Sequence, residues 1–179
     1  MEEEFIINKL RNEETRHYGF NLLMKAYQER VYWHVRKMVI DHEDADDITQ
    51  EVFVKIWSKI DQFRGDSSLF TWVYRIATNQ CLNFLKKKKR RSFFSLNDHT
   101  QELENKLEAN PLISGDEIQI KLQKAIIKLP EKQRLVFNMK YYDELKFDEI
   151  AEITKTSVGA LKASYHHAVK KIEEFVSEH

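Results

Sequence analysis

The stretch at residues 61–91 reads DQFRGDSSLFTWVYRIATNQCLNFLKKKKRR and joins a polar loop to an amphipathic segment. Apolar residues recur at helical spacing after the loop, which predicts one long helix. This helix ends in six consecutive basic residues, 86–91. Because aromatic faces stack on unstacked bases and cations bind phosphates, the combination favours a surface for single-stranded nucleic acid over one for an intact duplex.

The predicted helix has two faces, since residues three and four apart share one side. The buried side carries the apolar residues Leu69, Val73, Ile76, Ala77 and Phe84. The other side carries one tryptophan and mainly polar residues, namely Trp72, Arg75, Asn79, Asn83 and Lys86. Trp72 lies at the boundary, where packing in the core and stacking on a base are both open. A basic helix end is usually solvated, but six cations in succession exceed that need and favour contact with a phosphate backbone.

The composition predicts an all-α protein. Only 4 Gly and 2 Pro in 179 residues leave little material for a turn-rich β fold, and the abundant Leu, Ile, Lys, Glu and Gln favour helices. The single cysteine, Cys81, excludes an intramolecular disulfide and is expected to be a small packing residue in a reducing compartment. The first ten residues lack a signal-peptide pattern, and no apolar run reaches the roughly 18–20 residues that cross a bilayer. We therefore expect a cytoplasmic protein.

No motif for catalysis, cofactor binding or metal binding stands out. The chain has no Gly-rich phosphate loop and no nucleophile motif, so we expect a protein that is not an enzyme and uses no cofactor. The acidic cluster at 41–47 lacks the ligand spacing and central glycine of an EF-hand, and it favours the start of a helix instead. His166 and His167 are adjacent, so on a helix they point about 100° apart and are not expected to share a metal ion.

A formal net charge of zero hides three blocks of different charge. Residues 1–91 carry 17 Lys and Arg against 14 Asp and Glu, residues 92–119 carry 1 against 6, and residues 120–179 carry 11 against 9. Together with the periodicity, this predicts two small helical domains, 1–91 and 117–179, joined by a flexible acidic linker at 92–116. In the linker, Phe93, Phe94 and Leu96 are apolar enough to dock on another surface.

Further helices are predicted before the 61–91 stretch. Residues 14–40 predict one or two helices, and the sequence DHEDADD at 41–47 predicts a turn and then a helix capped by Asp44. The helix that follows the turn at 41–47 is expected to turn its apolar residues toward the core: Ile48, Val52, Phe53, Ile56, Trp57 and Ile60. Gln50, Glu51 and Lys55 stay outside.

The sequence of the C-terminal domain predicts a helix-turn-helix. A helix ends near Leu129 and Pro130 opens the next, after which a short helix at 147–154 and a longer one at 158–175 follow, with Ser157 as N-cap. The longer helix turns outward a modestly basic face, made of Lys162, Ala163, His166, His167 and Lys170. Such a face enters the major groove in DNA-binding proteins, and it is also typical of a solvated amphipathic helix. The pattern alone leaves both interpretations open.

Taken together, these residues resemble the bacterial extracytoplasmic-function (ECF) sigma factors, two-domain specificity subunits of RNA polymerase. Residues 44–53 are similar to the family's core-polymerase-binding helix, and residues 63–68 with 70–79 are similar to its −10 recognition segment. Four pieces resemble its −35-binding domain: Leu129-Pro130, Gln133-Arg134, Glu149-Ile150-Ala151 and Ser157-Val158-Gly159-Ala160-Leu161-Lys162. Their order and spacing across a variable linker make the resemblance specific over most of the chain.

The resemblance implies a set of contact residues and partners. Asp47, Gln50 and Glu51 would contact the β′ clamp helices of core RNA polymerase, which would also contact the chain through its β flap. The loop Phe63–Ser68 together with Asn79 would capture a flipped base of the −10 element of promoter DNA. The full set of −10 contact residues would be Phe63, Arg64, Gly65, Asp66, Ser67, Ser68, Trp72, Arg75, Asn79, Lys86, Lys87 and Arg90. The −35 element would be contacted by Lys140, Ser157, Lys162, Ala163, His166 and His167.

The family also implies regulation by an anti-sigma factor, often membrane-anchored, and a linker that passes through the RNA-exit region of the polymerase. The recognition helix departs from the family pattern, because residues 160–164 lack a hydroxyl and an arginine that many members carry. Two other functions are compatible with the residues alone: a stand-alone helix-turn-helix regulator of duplex DNA, and an interaction module without DNA. Association with core polymerase separates the sigma factor from the other two, and binding to duplex DNA separates the regulator from the interaction module.

Overall fold

The computed structural model describes residues 2–91, 101, 104–107 and 117–178. Within these residues the regular structure is helical and contains no strand, and the all-α prediction is confirmed. The main helices are α1 (Glu2–Arg11), α2 (Arg16–Val39), α3 (His42–Lys59), α4 (Leu69–Arg91), α5 (Glu117–Lys128), α6 (Glu131–Tyr141), α7 (Phe147–Thr154) and α8 (Val158–Glu178). Short 3-10 helices at Glu13–Thr15 and Ile60–Gln62 follow α1 and α3.

The first core lies between α2, α3 and α4. Each helix contributes fully buried aliphatic side chains, among them Val31, Val35, Val52, Ile56 and Val73. Burying one such side chain stabilises the fold by about 1.5–3 kcal/mol, so this three-helix arrangement is the main source of stability for the N-terminal part. Residues 16–39 form a single helix, which ends at Ile40, where φ is 66°.

Helix α4 is buried over a wider arc than the sequence predicts. Leu69, Val73 and Ala77 are buried as expected, while Ile76 and Phe84 are only half-buried. Five further residues are buried: Thr71, Tyr74, Thr78, Cys81 and Leu85. The reason is that α4 packs against α2 and α3 on one side and against α7 on another. Cys81 is a buried packing residue, as predicted.

The start of α3 is capped by Asp41 and not by Asp44, so the predicted cap is wrong by one turn. The Asp41 carboxylate accepts a hydrogen bond from the Asp44 backbone N–H at 3.0 Å and pairs with Lys106 Nζ at 2.8 Å. The hydrogen bond from Lys106, followed by the one from the Asp44 N–H, lowers the pKa of Asp41 to about 2. Asp44 instead pairs with Lys88 of α4 at 2.7 Å and ties the two helices together.

Helix α1 lies in close contact with α2 at Gly19. A Cβ at this position would lie 2.7 Å from the Leu10 backbone nitrogen and 2.9 Å from the Lys9 carbonyl carbon. Ile6 and Leu10 of α1 are buried in the core that α2, α3 and α4 share. Gly19 therefore allows α1 to bury its apolar face.

Replacing Gly19 by Ala is expected to destabilise the protein by roughly 1–3 kcal/mol, because the backbone of α1 must move away from the new methyl group. Gly159→Ala is the matched control, since a Cβ there meets nothing within 4 Å. The free energy of unfolding of Gly159→Ala should exceed that of the wild type by about 0.4–1 kcal/mol, because alanine reduces the conformational entropy of the unfolded chain. Urea unfolding of both variants checks the pair, and effects of the same sign would contradict the close approach at Gly19.

The C-terminal helices form the predicted helix-turn-helix. Helix α7 ends at Lys155, which adopts a left-handed conformation with φ 56°, and α8 begins after Ser157. The Ser157 hydroxyl accepts a hydrogen bond from the Ala160 N–H at 3.3 Å, which confirms the predicted N-cap. Apolar residues of α5, α6 and α8 enclose a second core, formed by Ala125, Ile126, Leu129, Phe137, Ala168 and Ile172.

The two groups of helices pack against each other. The core of α1–α4 continues into α6 and α7 through Leu135, Met139 and Ile150, all of which are buried. Leu107 packs against Ile40 and Ile127, so this described piece of the predicted linker touches both groups. Phe93, Phe94 and Leu96 of the linker lie outside the described residues.

Candidate nucleic-acid interface

An open pocket of about 530 Å³ lies where the loop at 63–68 meets α4. Seven of the predicted −10 residues line the pocket, five from the loop and two from α4: Phe63, Arg64, Gly65, Asp66, Ser67, Trp72 and Arg75. Asp61 and Gln62, which precede the loop, complete the lining. The pocket combines aromatic, cationic and hydrogen-bonding groups. Its size and lining suit a single unstacked base with its phosphate.

The loop at 63–68 has a defined shape. The Phe63 and Trp72 rings lie 5.2 Å apart at a tilt of 50°, so the two aromatic rings form one corner of the pocket. Gly65 has φ 85°, a region that favours glycine. The Ser68 hydroxyl accepts a hydrogen bond from the Thr71 N–H at 3.0 Å and so helps to cap α4.

Arg75 and Asn79 take different positions. Arg75 lines the pocket, but its Nη2 also donates to the Glu152 carbonyl of α7 at 2.9 Å. Asn79 is exposed on α4 and does not line the pocket, since it lies seven residues, or about 10 Å, beyond Trp72 along the helix. The structure therefore groups the loop with Trp72 and Arg75 and leaves Asn79 as a separate polar contact.

Among the residues that the structure describes, most side chains at the basic end of α4 are exposed. Lys86, Lys87 and Arg90 are exposed, as are Lys89 and Arg91. Lys88 is the member of the run that pairs with Asp44. The predicted phosphate-contacting residues are therefore available to an external anion.

Helix α3 presents an acidic and apolar surface of its own. Asp47, Gln50 and Glu51 are exposed, and beside them lies a hollow of about 400 Å³ with a mostly apolar lining. Its lining comes from α2 and α3: Phe20, Met24, Gln28, Thr49, Gln50, Phe53, Val54 and Trp57. We call this group the α2–α3 hollow.

The prediction for Trp57 is corrected by the α2–α3 hollow. Trp57 is half-buried and packs on His17 at 4.8 Å and Phe20 at 5.0 Å, because α1 and the start of α2 leave its outer edge uncovered. Val54 was missed, although it is 70% exposed. Its sequence signal is an apolar, β-branched residue on the same helix face as Gln50 and Glu51.

The outward face of α8 is arranged as predicted. Lys162, Ala163, His166 and His167 are exposed, whereas the Ser157 hydroxyl is engaged in the N-cap. Lys140 lies on α6, where its Nζ donates to the Leu145 carbonyl at 3.2 Å and lies 5.3 Å from the centre of the Phe147 ring. The N-terminal half of α8 therefore offers a cation and two histidines to a ligand, while Lys140 is already engaged.

A buried polar cluster joins the two groups of helices. His34 of α2 is fully buried, with Nε2 3.0 Å from Thr78 Oγ1 and Nδ1 3.4 Å from Asp143 Oδ2. Because a carboxylate only accepts, Nδ1 donates to Asp143, which also pairs with Lys37. Burial alone would raise the pKa of Asp143, but His34 and Lys37 lower it below the usual aspartate range. Sequence reasoning found none of these contacts.

The interface leaves several polar atoms unpaired. Among the described residues, the buried side-chain atoms without a hydrogen-bond partner are Arg75 Nε, Gln133 Oε1, Arg134 Nε and Asn138 Oδ1. Arg75 Nη2 and Asn138 Nδ2 nevertheless donate across the interface, to the carbonyls of Glu152 and Lys37 respectively. Burial lowers the pKa of Arg134. Burial also raises the pKa of Cys81 on α4 to about 12, although the positive charge of Arg134 acts to lower the pKa of this thiol. Each unpaired group costs about 1–3 kcal/mol, which weakens the packing.

Acid is expected to weaken this interface through Asp143. A carboxyl with a lowered pKa stabilises the fold above the unfolded value of about 3.9, and this contribution is lost as the pH falls through the lower folded value. Asp143→Asn should therefore cost about 1–2 kcal/mol near neutral pH, and the difference from the wild type should shrink on acidification. Urea unfolding of Asp143→Asn and of the wild type, measured from about pH 7 down to about pH 3, tests this expectation. A difference that stays constant with pH would contradict it.

Comparison with known proteins places both groups of helices in one family. Residues 23–91 match the family model described as Sigma-70 region 2, and residues 119–172 match Sigma-70, region 4. The chain is 35% identical over 167 residues to the ECF RNA polymerase sigma-E factor of Escherichia coli K12, covering 88% of this chain and 86% of that protein. It is 31% identical over 156 residues to the ECF RNA polymerase sigma factor SigW of Bacillus subtilis, covering 83% of each.

Two solved structures share the fold. One is the sigma factor RpoE in complex with the anti-sigma factor NepR from Bartonella quintana, with a TM-score of 0.66 and 19% identity over 88% of this chain and 96% of that one. The other is CnrH in complex with the cytosolic domain of CnrY, with a TM-score of 0.71 and 18% identity over 99% of each chain.

The matches to Sigma-70 region 2 and to Sigma-70, region 4 place the chain among the transcription initiation factors of the sigma-70 class. Within this class, the chain belongs to the ECF RNA polymerase sigma factors. In the part of the chain that the structure describes, no helix is long and apolar enough to span a membrane.

Proposed function

We propose that this sigma factor binds core RNA polymerase, recognises the −10 and −35 promoter elements and opens the promoter at the −10 element. The observation that carries the proposal is the aromatic pocket at 63–68, which lies at the head of a helix with an exposed basic end. Residues 1–91 form the domain for core and −10 binding, 92–116 the linker, and 117–179 the −35 domain. The polymerase supplies the chemistry, and this cytoplasmic chain supplies binding and position.

Core polymerase binds at α3 in this proposal. Asp47, Gln50 and Glu51 contact the β′ clamp helices, and the α2–α3 hollow receives apolar side chains of the same partner. Two features support this: the residues are exposed side by side, and an apolar surface beside charged groups is typical of an interface with a buried centre and a polar rim. The C-terminal domain contacts the β flap.

The −10 element is bound as a single strand. Flipping one base out of the duplex costs a few kcal/mol, which stacking on Phe63 and Trp72 and hydrogen bonds in the pocket repay. Arg64, Asp66 and Ser67 supply polar groups at the rim, and Asn79 contacts the strand further along α4. Lys86, Lys87 and Arg90 hold the backbone, which makes binding depend on salt.

The −35 element is bound by α8 in the major groove. Lys162 is placed in the first turns, where side chains reach base edges, and His166 and His167 donate to phosphates. Ala163 adds only apolar contact. This surface carries only two lysines, Lys162 and Lys170, and Lys170 lies 3.9 Å from Glu174, so the −35 contact contributes mainly to position and the −10 contact contributes most of the specificity.

Promoter binding also requires the two groups of helices to separate. Arg75 is held by the Glu152 carbonyl in the packed state, so it must exchange this acceptor before it reaches DNA. The unpaired polar atoms at the interface favour such an exchange, since water or DNA can satisfy them. An anti-sigma factor that binds the packed state would keep the protein inactive.

In vitro transcription with purified core enzyme and mapping of the start sites tests the proposal. Promoter-specific initiation is expected only when core enzyme and this chain are mixed. Tight binding of the chain alone to duplex operators, without association with core, would instead establish the stand-alone regulator. Failure to bind either partner would leave an interaction module.

A further inference from the structure

Helix α1 lies outside the two segments that match the sigma-70 family models, and it contacts the 63–68 loop region at several points. Its apolar residues Ile6 and Leu10 are buried, which fixes the helix on the α2–α4 core. Gly19 sets the distance between α1 and α2. The polar residues of α1 are thereby held at fixed positions next to the pocket.

The first contact lies at the end of the loop. The Glu3 carboxylate accepts a hydrogen bond from the backbone N–H of Leu69, the first residue of α4. This N–H is one of the donors that a helix cannot satisfy by itself. Ser68 satisfies the Thr71 N–H, so Glu3 and Ser68 share the capping of α4. A residue 66 positions away thus holds the turn that leads to Trp72.

The second contact lies just before the loop. Arg16 Nη2 pairs with Asp61 Oδ1 at 2.8 Å, and Arg16 Nε donates to the Leu10 carbonyl at 3.3 Å. The guanidinium therefore joins the end of α1 to the segment that enters the loop. Between these two contacts, Arg11 Nη2 lies 3.4 Å from the position that a Cβ would occupy if Gly65 carried a side chain. The α1 region thus touches the start, the middle and the end of the segment 61–69.

We propose that α1, together with Arg16 at the start of α2, positions the 63–68 loop for −10 recognition, with Glu3 as the main positioning residue and Arg16 as the second. The inference rests on the proposed function and extends it to residues that touch no DNA. The loop is exposed and contains a left-handed glycine, so it needs external contacts to keep one conformation. When the pocket is already ordered before DNA binds, the binding free energy does not have to offset the entropy cost of ordering its side chains.

The test uses the full chain bound to core polymerase. The probe is a nontemplate-strand oligonucleotide spanning the −10 element of a start site mapped with this chain, together with versions changed at single bases. Glu3→Ala should weaken binding of the matched oligonucleotide roughly 5- to 30-fold and reduce discrimination between bases, with core affinity unchanged. Glu3→Gln keeps a carbonyl acceptor and should restore most of the binding. Glu4→Ala removes an exposed carboxylate from the same helix and should match the wild type.

Arg16 and Asp61 provide a second measurement. Arg16→Gln and Asp61→Asn should each weaken oligonucleotide binding, and the double variant should be no weaker than either single one, because the two act through one contact. The inference is overturned if Glu3→Ala behaves like Glu4→Ala while Trp72→Ala still loses binding, in which case the proposed function stands. It is also overturned if Glu3→Ala lowers core affinity in the same proportion. If Trp72→Ala is silent as well, both the inference and the proposed −10 pocket fail.

Discussion

Trp72→Ala is expected to lower promoter opening roughly 5- to 150-fold while core polymerase binds with unchanged affinity. The size of the effect follows from stacking of a base on an aromatic side chain, which contributes about 1–3 kcal/mol. Trp72 is the pocket residue whose ring centre lies 5.2 Å from that of Phe63, and it is not among the residues that line the α2–α3 hollow. Open-complex formation measured by permanganate reactivity, beside a core-binding titration, separates the two activities.

Two controls accompany this variant. Trp72→Phe keeps an aromatic face and should retain most of the opening. Trp33→Ala removes a tryptophan that is 43% exposed on α2 and does not line the pocket, so promoter opening should stay at the wild-type level. Equal losses from Trp33→Ala and Trp72→Ala would contradict a base-stacking role, as would a parallel loss of core binding.

Val54→Asp is expected to weaken core binding on the order of 100-fold without changing the stability of the free protein. Val54 is 70% exposed in the free chain, so a charge there remains solvated and should alter the free energy of unfolding by less than about 0.5 kcal/mol. In the complex, the carboxylate would be buried against apolar side chains without a partner, which costs several kcal/mol. A fluorescence titration with core polymerase measures the loss.

The same substitution elsewhere provides the comparison. Val176→Asp changes another exposed valine, in the last turn of α8, and should leave core affinity near the wild-type value. Val54→Thr keeps the shape of the side chain without a charge and should have a small effect. Core binding by Val54→Asp at wild-type affinity would show that the α2–α3 hollow is not part of the polymerase interface.

Local features of the fold could be predicted because they depend on neighbouring residues. Ser157 caps α8 as expected, since the cap needs only a hydroxyl one residue before the helix and a free N–H three residues on. The bounds of α7 followed from the same short-range pattern. Asp41 and Asp44 show the limit, because both suit a helix start and the Lys106 contact with Asp41 is remote in sequence.

The contacts between the two groups of helices could not be predicted. His34 and Asp143 are 109 residues apart, and a histidine in a helical pattern carries no sign of such a partner. Trp57 was assigned to the core because periodicity reports the side of a helix but not where the neighbouring helix ends. Glu3 was overlooked for a similar reason, since its role depends on the distance that Gly19 allows between α1 and α2.

The most direct test of the central claim, that the 63–68 pocket holds one unstacked base of the −10 strand, combines a change in DNA with a change in protein. An abasic site is introduced at each −10 position in turn, and binding by holoenzyme is compared for the wild type and Trp72→Ala. At one position, the abasic site should weaken wild-type binding, and Trp72→Ala should add no further loss there, because base and ring form a single contact. Independent, additive losses at every position would contradict the account.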